Sequence, residues 1–168
     1  MTETRCPSLL FLHGAGGLDE DQALARTLAD SVGAHLVMPR LPDTDMTVEG
    51  WAAPIRTALA GLDAQDHVVG HSFGASILVT VLAESTWPVS RAALLGMPNW
   101  SPEGWDVEDY VPARTPPAVS LELHHCADDS VVLLSHLALN GAELPGASLR
   151  THDTGGHQFD GPAHALLL

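Results

Sequence analysis

The sequence predicts an α/β protein, a three-layer sandwich around a mostly parallel sheet of about six strands. Three observations predict it. Short apolar runs recur at Ser8–His13, His35–Met38, His67–Gly70 and Ala92–Met97, and Val119–His125 and Ser148–His152 add strand character. Several segments between them carry apolar residues at helical spacing, and strands alternating with helices imply right-handed crossovers and a sheet covered on both faces. The chain has 168 residues, 45% of them hydrophobic and 17% charged, which suits one buried core and is short for two. Residues 1–168 therefore read as a single domain.

The elements follow in order. Ser8 to His13 is apolar enough to be a buried strand, and it ends in a flexible turn from His13 to Gly17. Asp19, Glu20 and Asp21 then open a helix, as acids favour a first turn, and it runs to about Ser31 with Gly33 as its stop. His35–Met38 is a second buried strand, closed by Pro39 and Pro42. Val48, Trp51, Ala52, Ile55, Leu59 and Leu62 recur in steps of three and four, marking one helical face. Pro54 falls inside that segment, so regular helix is expected to begin there. After the strand at Ala92–Met97, the stretch Pro98–Pro117 holds five prolines and reads as a long irregular connection, a short cap loop over residues 98–117. Val119–His125 resumes strand character, Val131–Leu139 is expected to be helix, and Ser148–His152 is the last strand.

The most informative stretch is His67–Gly74, where a β-branched run leads into Gly70-His71-Ser72-Phe73-Gly74 and an apolar segment, Ala75–Ala83, follows. That is strand, sharp turn and helix, with a serine at the apex. Such a turn strains the serine backbone and points its hydroxyl away from the sheet. The helix behind it aims free N–H groups and a positive dipole end at the same point, where an oxyanion would be stabilised. In a chain with 15 glycines Gly-x-Ser-x-Gly alone says little; its setting between strand and helix is what counts. Ligands of parallel sheets sit beyond the carboxyl ends of the strands. Ser72, the His13-Gly14 turn, Asp129 and His157 all fall at such ends.

A serine hydroxyl needs a base to become a nucleophile, and the base needs a carboxylate to fix its tautomer. Both stand downstream of Ser72, in the chain order Ser, Asp, His. Asp129 lies in a polar turn after a strand, and His157 follows Gly155 and Gly156, which let the chain loop back over the sheet.

Four segments together resemble the α/β-hydrolase superfamily: Leu12-His13-Gly14, Gly70-His-Ser-Phe-Gly74, Asp129-Ser-Val-Val132 and Gly156-His157. The small size and the Pro39, Pro42, Trp51 segment resemble the compact, nearly lidless serine hydrolases of the retinoblastoma-binding-protein-9 and YdeN type. The resemblance implies a compact α/β-hydrolase fold with a minimal cap. It also implies Ser72 as nucleophile, His157 as general base, Asp129 as orienting acid, and an oxyanion hole from the backbone N–H groups of Phe73 and Ala15. His13, Trp100 and Trp105 are candidates for the substrate pocket, although His13 can instead shape its loop and the tryptophans, with Tyr110, can instead pin a loop to the core. The chain departs from the superfamily at Cys126, where glycine is usual three residues before the acid. Asp128 therefore competes with Asp129, and Asp153 more weakly. Only 11 residues follow His157, too few for a full final helix.

Charge and composition exclude other classes. The net charge of −14 comes from 21 acids against 7 bases, all of them arginine. Without lysine there is no Walker-type phosphate loop and no Schiff-base enzyme. The acidic balance opposes nucleic acid and anionic membranes. No apolar run approaches the roughly 20 residues of a membrane span. The start, Met1–Pro7, lacks a signal peptide's hydrophobic core, so a cytoplasmic location is expected. Cys6 and Cys126 read as small buried residues. Ten histidines, including His124-His125 and His152, raise the question of a metal, but no ligand spacing supports one and strand neighbours face opposite ways. A nucleotide loop at Gly14–Gly17 fails because Asp19 stands where the third glycine belongs. The expectation is a cofactor-free serine hydrolase acting on a small-molecule acyl substrate; the alternative is a non-catalytic binding or interaction protein on the same fold. Nothing in the sequence decides for or against a protein partner or a homo-oligomer.

Overall fold

A computed structural model describes residues 5–167. Six strands form one sheet in the order β2-β1-β3-β4-β5-β6: β1 (Ser8–Leu12), β2 (His35–Val37), β3 (His67–His71), β4 (Arg91–Leu95), β5 (Ser120–Cys126) and β6 (Ser148–His152). Every neighbouring pair is parallel, so the sheet is more uniform than the sequence required. The helices are α1 (Gln22–Ser31), α2 (Val48–Ala60), α3 (Phe73–Glu84) and α4 (Ser135–Glu143).

Alternation along the strands sorts the core into two layers. Leu10, Leu12, Val68, Leu94, Leu121 and Leu123 point to the face covered by α2, α3 and α4. Leu9, Phe11, Val69, Ala93, Leu95 and Cys126 point to the other face, against α1 and the C-terminal segment. Helix α3 buries nine of its 12 residues, which explains its apolar surface on nearly every side. The C-terminal segment covers the α1 face with one 3-10 turn (Pro162–Ala165) and the fully buried Phe159.

Four local expectations need correction. Helix α2 starts at Val48, not at Pro54, because the Thr47 hydroxyl accepts the Gly50 N–H at 3.1 Å and caps it there. Helix α4 starts at Ser135, four residues later than expected, because Asp129 Oδ1 accepts the N–H groups of Val131 and Val132 and folds that apolar run into a turn. Asp21 does not decorate the first turn of α1 but points inward, 1% exposed. Cys6 is exposed, with its thiol 3.2 Å from the Gly33 carbonyl, whereas Cys126 is buried and its thiol is pushed up to about 12 by that burial. Among the described residues no helix is long and apolar enough to cross a membrane.

Candidate active site

The strand order reverses between β1 and β3, whose crossovers leave to opposite sides and open a crevice at their carboxyl ends. Ser72 stands there with φ 52° and ψ −123°, a conformation that few L-residues adopt without being held. It is held by a hydrogen bond from its N–H to the Leu95 carbonyl at 2.9 Å and by tight packing on both flanks. A Cβ at Gly70 would lie 2.7 Å from Ala75 Cα, so strand and helix meet this closely only because residue 70 has no side chain.

The turn after β5 carries Asp129 and the loop after β6 carries His157. Asp129 Oδ2 accepts from His157 Nδ1 at 2.8 Å, while Oδ1 takes the Val131 and Val132 N–H groups at 2.8 and 2.9 Å. Burial raises the Asp129 carboxyl, but the His157 bond and the two amides outweigh it and hold it below the usual range. Asp128, its competitor, is exposed and turned the other way. Its oxygens accept the N–H groups of Gly156 and Gly155 at 2.8 and 3.3 Å, fastening the histidine loop. Asp153 is exposed. His157 and Ser72 line the same cleft. Among the described residues no hydrogen bond joins the Ser72 hydroxyl to His157, and His157 Nε2 has no partner.

The cleft measures about 360 Å³ and is lined by Gly14, Ala15, Met46, Ser72, Phe73, Trp100, Trp105, Tyr110, Val131 and His157, with Glu20 and Asp21 on one side. Phe73 opens α3, so its N–H has no carbonyl one turn back. Ala15 sits between two residues whose N–H groups donate to carboxylates, Gly14 to Asp21 and Gly16 to Asp43, at 2.9 and 2.7 Å. Trp100 and Trp105 line the cleft and also pin the loop. The Trp100 indole N–H reaches Ser76 Oγ at 2.8 Å, and Trp105 packs edge-on against His136. His13 is not at the cleft surface. It is fully buried, its Nδ1 donating to the Gly14 carbonyl at 2.7 Å and its Nε2 accepting the Leu41 N–H at 3.0 Å, so it shapes the loop from behind.

Two residues near the site were given no part in it by the sequence. Gly96, at the end of β4 with φ +54°, leaves room for the histidine; a Cβ there would lie 3.2 Å from His157 Cε1 and Nδ1. Its only sequence signal is a glycine directly after a buried strand. His125 lies 3.6 Å from Asp129 Oδ2 and donates from Nε2 to the Val132 carbonyl at 2.7 Å, and burial lowers its pKa. It is buried beside the Asp129 carboxylate.

Solved structures share this architecture. Alpha/beta hydrolase domain-containing protein 10 from mouse superposes with a TM-score of 0.71 at 13% identity, over 98% of this chain and 88% of that one. The fold is that of the α/β-hydrolases. The ydeN gene product of B. subtilis gives a TM-score of 0.69 at 16% identity, over 90% and 88% of the two chains. An esterase domain from a Rhodothermus marinus protein gives 0.69 at 17%, over 99% and 85%. The α/β-hydrolase and YdeN-type resemblance seen in the motifs thus extends to the whole fold. No protein-family model and no curated protein matches the sequence.

Proposed function

We propose that the chain is a serine hydrolase that cleaves small acyl compounds, esters above all, through an acyl-enzyme. One observation carries this: an Asp129–His157 hydrogen bond of 2.8 Å that leaves His157 Nε2 unengaged in the cleft of the strained Ser72. In this reading Ser72 Oγ attacks the substrate carbonyl carbon and its proton passes to His157 Nε2. The N–H groups of Phe73 and Ala15 stabilise the oxyanion. Collapse breaks the bond to the leaving group, which takes the proton from His157. Water then attacks the acyl-serine, gives a proton to the same nitrogen, and releases the acid with Ser72 restored. Catalytic hydrogen bonds are often long without substrate and tighten in the complex, so the absence of a Ser72–His157 hydrogen bond is compatible with this chemistry.

The cleft supports an apolar acyl group against Phe73, Trp100, Trp105 and Tyr110. Glu20 lines it and no arginine does, so an uncharged or cationic leaving group is favoured over an anionic one. Esters and thioesters fit the same machinery, and the esterase among the structural neighbours is in keeping with the former. The second reading, a non-catalytic binding protein, draws on the absence of a Ser72–His157 hydrogen bond.

A fluorophosphonate probe and a series of p-nitrophenyl esters decide between them. The hydrolase reading expects labelling of the wild type, none of Ser72→Ala, and ester turnover lowered in that variant by about 1,000-fold or more. Wild-type turnover no faster than that of Ser72→Ala would favour the binding protein.

A further inference from the structure

A charged cluster that the proposed reaction does not use lies directly behind the cleft. His71, the residue before the serine, is 1% exposed. Its Nδ1 is 2.8 Å from Asp21 Oδ2 and its Nε2 is 2.8 Å from the backbone carbonyl oxygen of His157. Neither neighbour can donate. A carbonyl has no proton, and Asp21 is ionised: burial raises its carboxyl, but His71, the Gly14 N–H and the Gln158 amide together hold it below the usual range. Both ring nitrogens therefore face acceptors, and a ring that satisfies both must donate from each. A neutral ring would set a lone pair against the carboxylate or the carbonyl, at a cost that a buried site does not tolerate.

The same carboxylate gathers two more groups. Asp21 Oδ2 also accepts the Gly14 N–H at 2.9 Å, and Oδ1 accepts from Gln158 Nε2 at 3.0 Å. One ion pair thus joins the serine turn, the loop that carries Ala15, the start of α1 and the loop that carries His157. The other groups around the ring are Phe11 and Phe159, each at 6.4 Å between centroids, and the His157 ring at 4.6 Å, which is itself bonded to Asp129. Asp21 is the carboxylate that bonds the ring directly.

We propose that His71 and Asp21 form a charged clamp that sets the relative positions of Ser72, the Ala15 N–H and His157. His71 is a positioning residue in this scheme: it touches no substrate and acts through the backbone of its neighbours. A neutral histidine with one donor would suffice to fill the space, so the double donation is what marks a clamp. The kinetic part of the proposal rests on the serine-hydrolase reading, whereas the protonation state of the ring does not.

The experiment has two arms on the full chain. Ring-nitrogen NMR of 15N-labelled protein at neutral pH is expected to show His71 with both nitrogens protonated, in the wild type and in Ser72→Ala alike. A neutral His71 ring in the folded wild type would overturn the clamp. In the second arm, Asp21→Asn and His71→Gln are compared with wild type by rate of fluorophosphonate labelling and by kcat and KM on one ester. A displacement of about 1 Å costs about 100-fold, so labelling and kcat are expected to fall by about that factor while KM hardly moves. Gln158→Ala removes one arm and is expected to slow labelling less, and it serves if the other two fail to fold. Folded variants that label at the wild-type rate would overturn the proposal. An unlabelled wild type would instead sink the hydrolase reading and leave the NMR arm to decide the clamp.

Discussion

Asp129 divides its two oxygens between structure and site: Oδ1 folds the Val131–Val132 turn, and Oδ2 faces His157. Asp129→Asn can keep the first role and reverse the second. With the amide nitrogen facing Nδ1, the imidazole must carry its proton on Nε2, the wrong side to accept from serine. The expected outcome is a loss of about 10,000-fold in kcat with little change in Tm, measured by ester turnover and thermal unfolding. Asp128→Asn retains an acceptor oxygen for the loop amides and should cost far less. Gly96 gives a second residue-scale test. Alanine there meets both a positive φ and the His157 ring, so Gly96→Ala is expected to lose about 1 kcal/mol or more in denaturant unfolding and to slow turnover.

The connection over residues 98–117 is irregular in backbone yet tied down by side chains. Asn99 bonds Asn140 across to α4, Trp100 bonds Ser76 on α3, and the Tyr110 hydroxyl donates to the Met46 carbonyl at 2.8 Å. A single 3-10 turn, Glu108–Tyr110, is its regular part. Trp105 is 42% exposed at the cleft, so Trp105→Ala is expected to raise KM severalfold on apolar esters while leaving Tm within a degree or two. These ties show why some elements could be read from sequence and others could not. Most strands and the Ser72 turn are written locally, in short apolar runs and glycine spacing. The start of α4 is not, because Val131–Leu134 has helical composition and only the pull of Asp129 on two amides turns it aside. The His71–Asp21 bond joins residues 50 apart, and no periodicity reports a contact of that kind.

At the scale of the whole molecule, several histidines are held neutral by burial. His124 is the strongest case, lowered to about 4 by burial and by His152, and burial also lowers His125, His136, His152 and His67. The unfolded chain binds these protons near pH 6.5 and the folded chain does not, so stability is full above that pH and falls as pH drops toward about 4. Tm is expected to decline steadily from pH 7.5 to 5.5, a window that stays above the pI of about 4.8, where solubility is lowest. His124→Gln should flatten that decline. The two margins of the sheet differ as well. β2 is three residues long, but β6 is five, exposed from Ser148 to Thr151, and ends the strand order. Its outer row of amides and carbonyls is a template on which a second chain could zip up, and Leu149 adds grease to it. Arg150 and the mutual repulsion of strongly acidic copies are the safeguards, so concentrated salt, which shortens the reach of charge, is where this protein will first cling to itself.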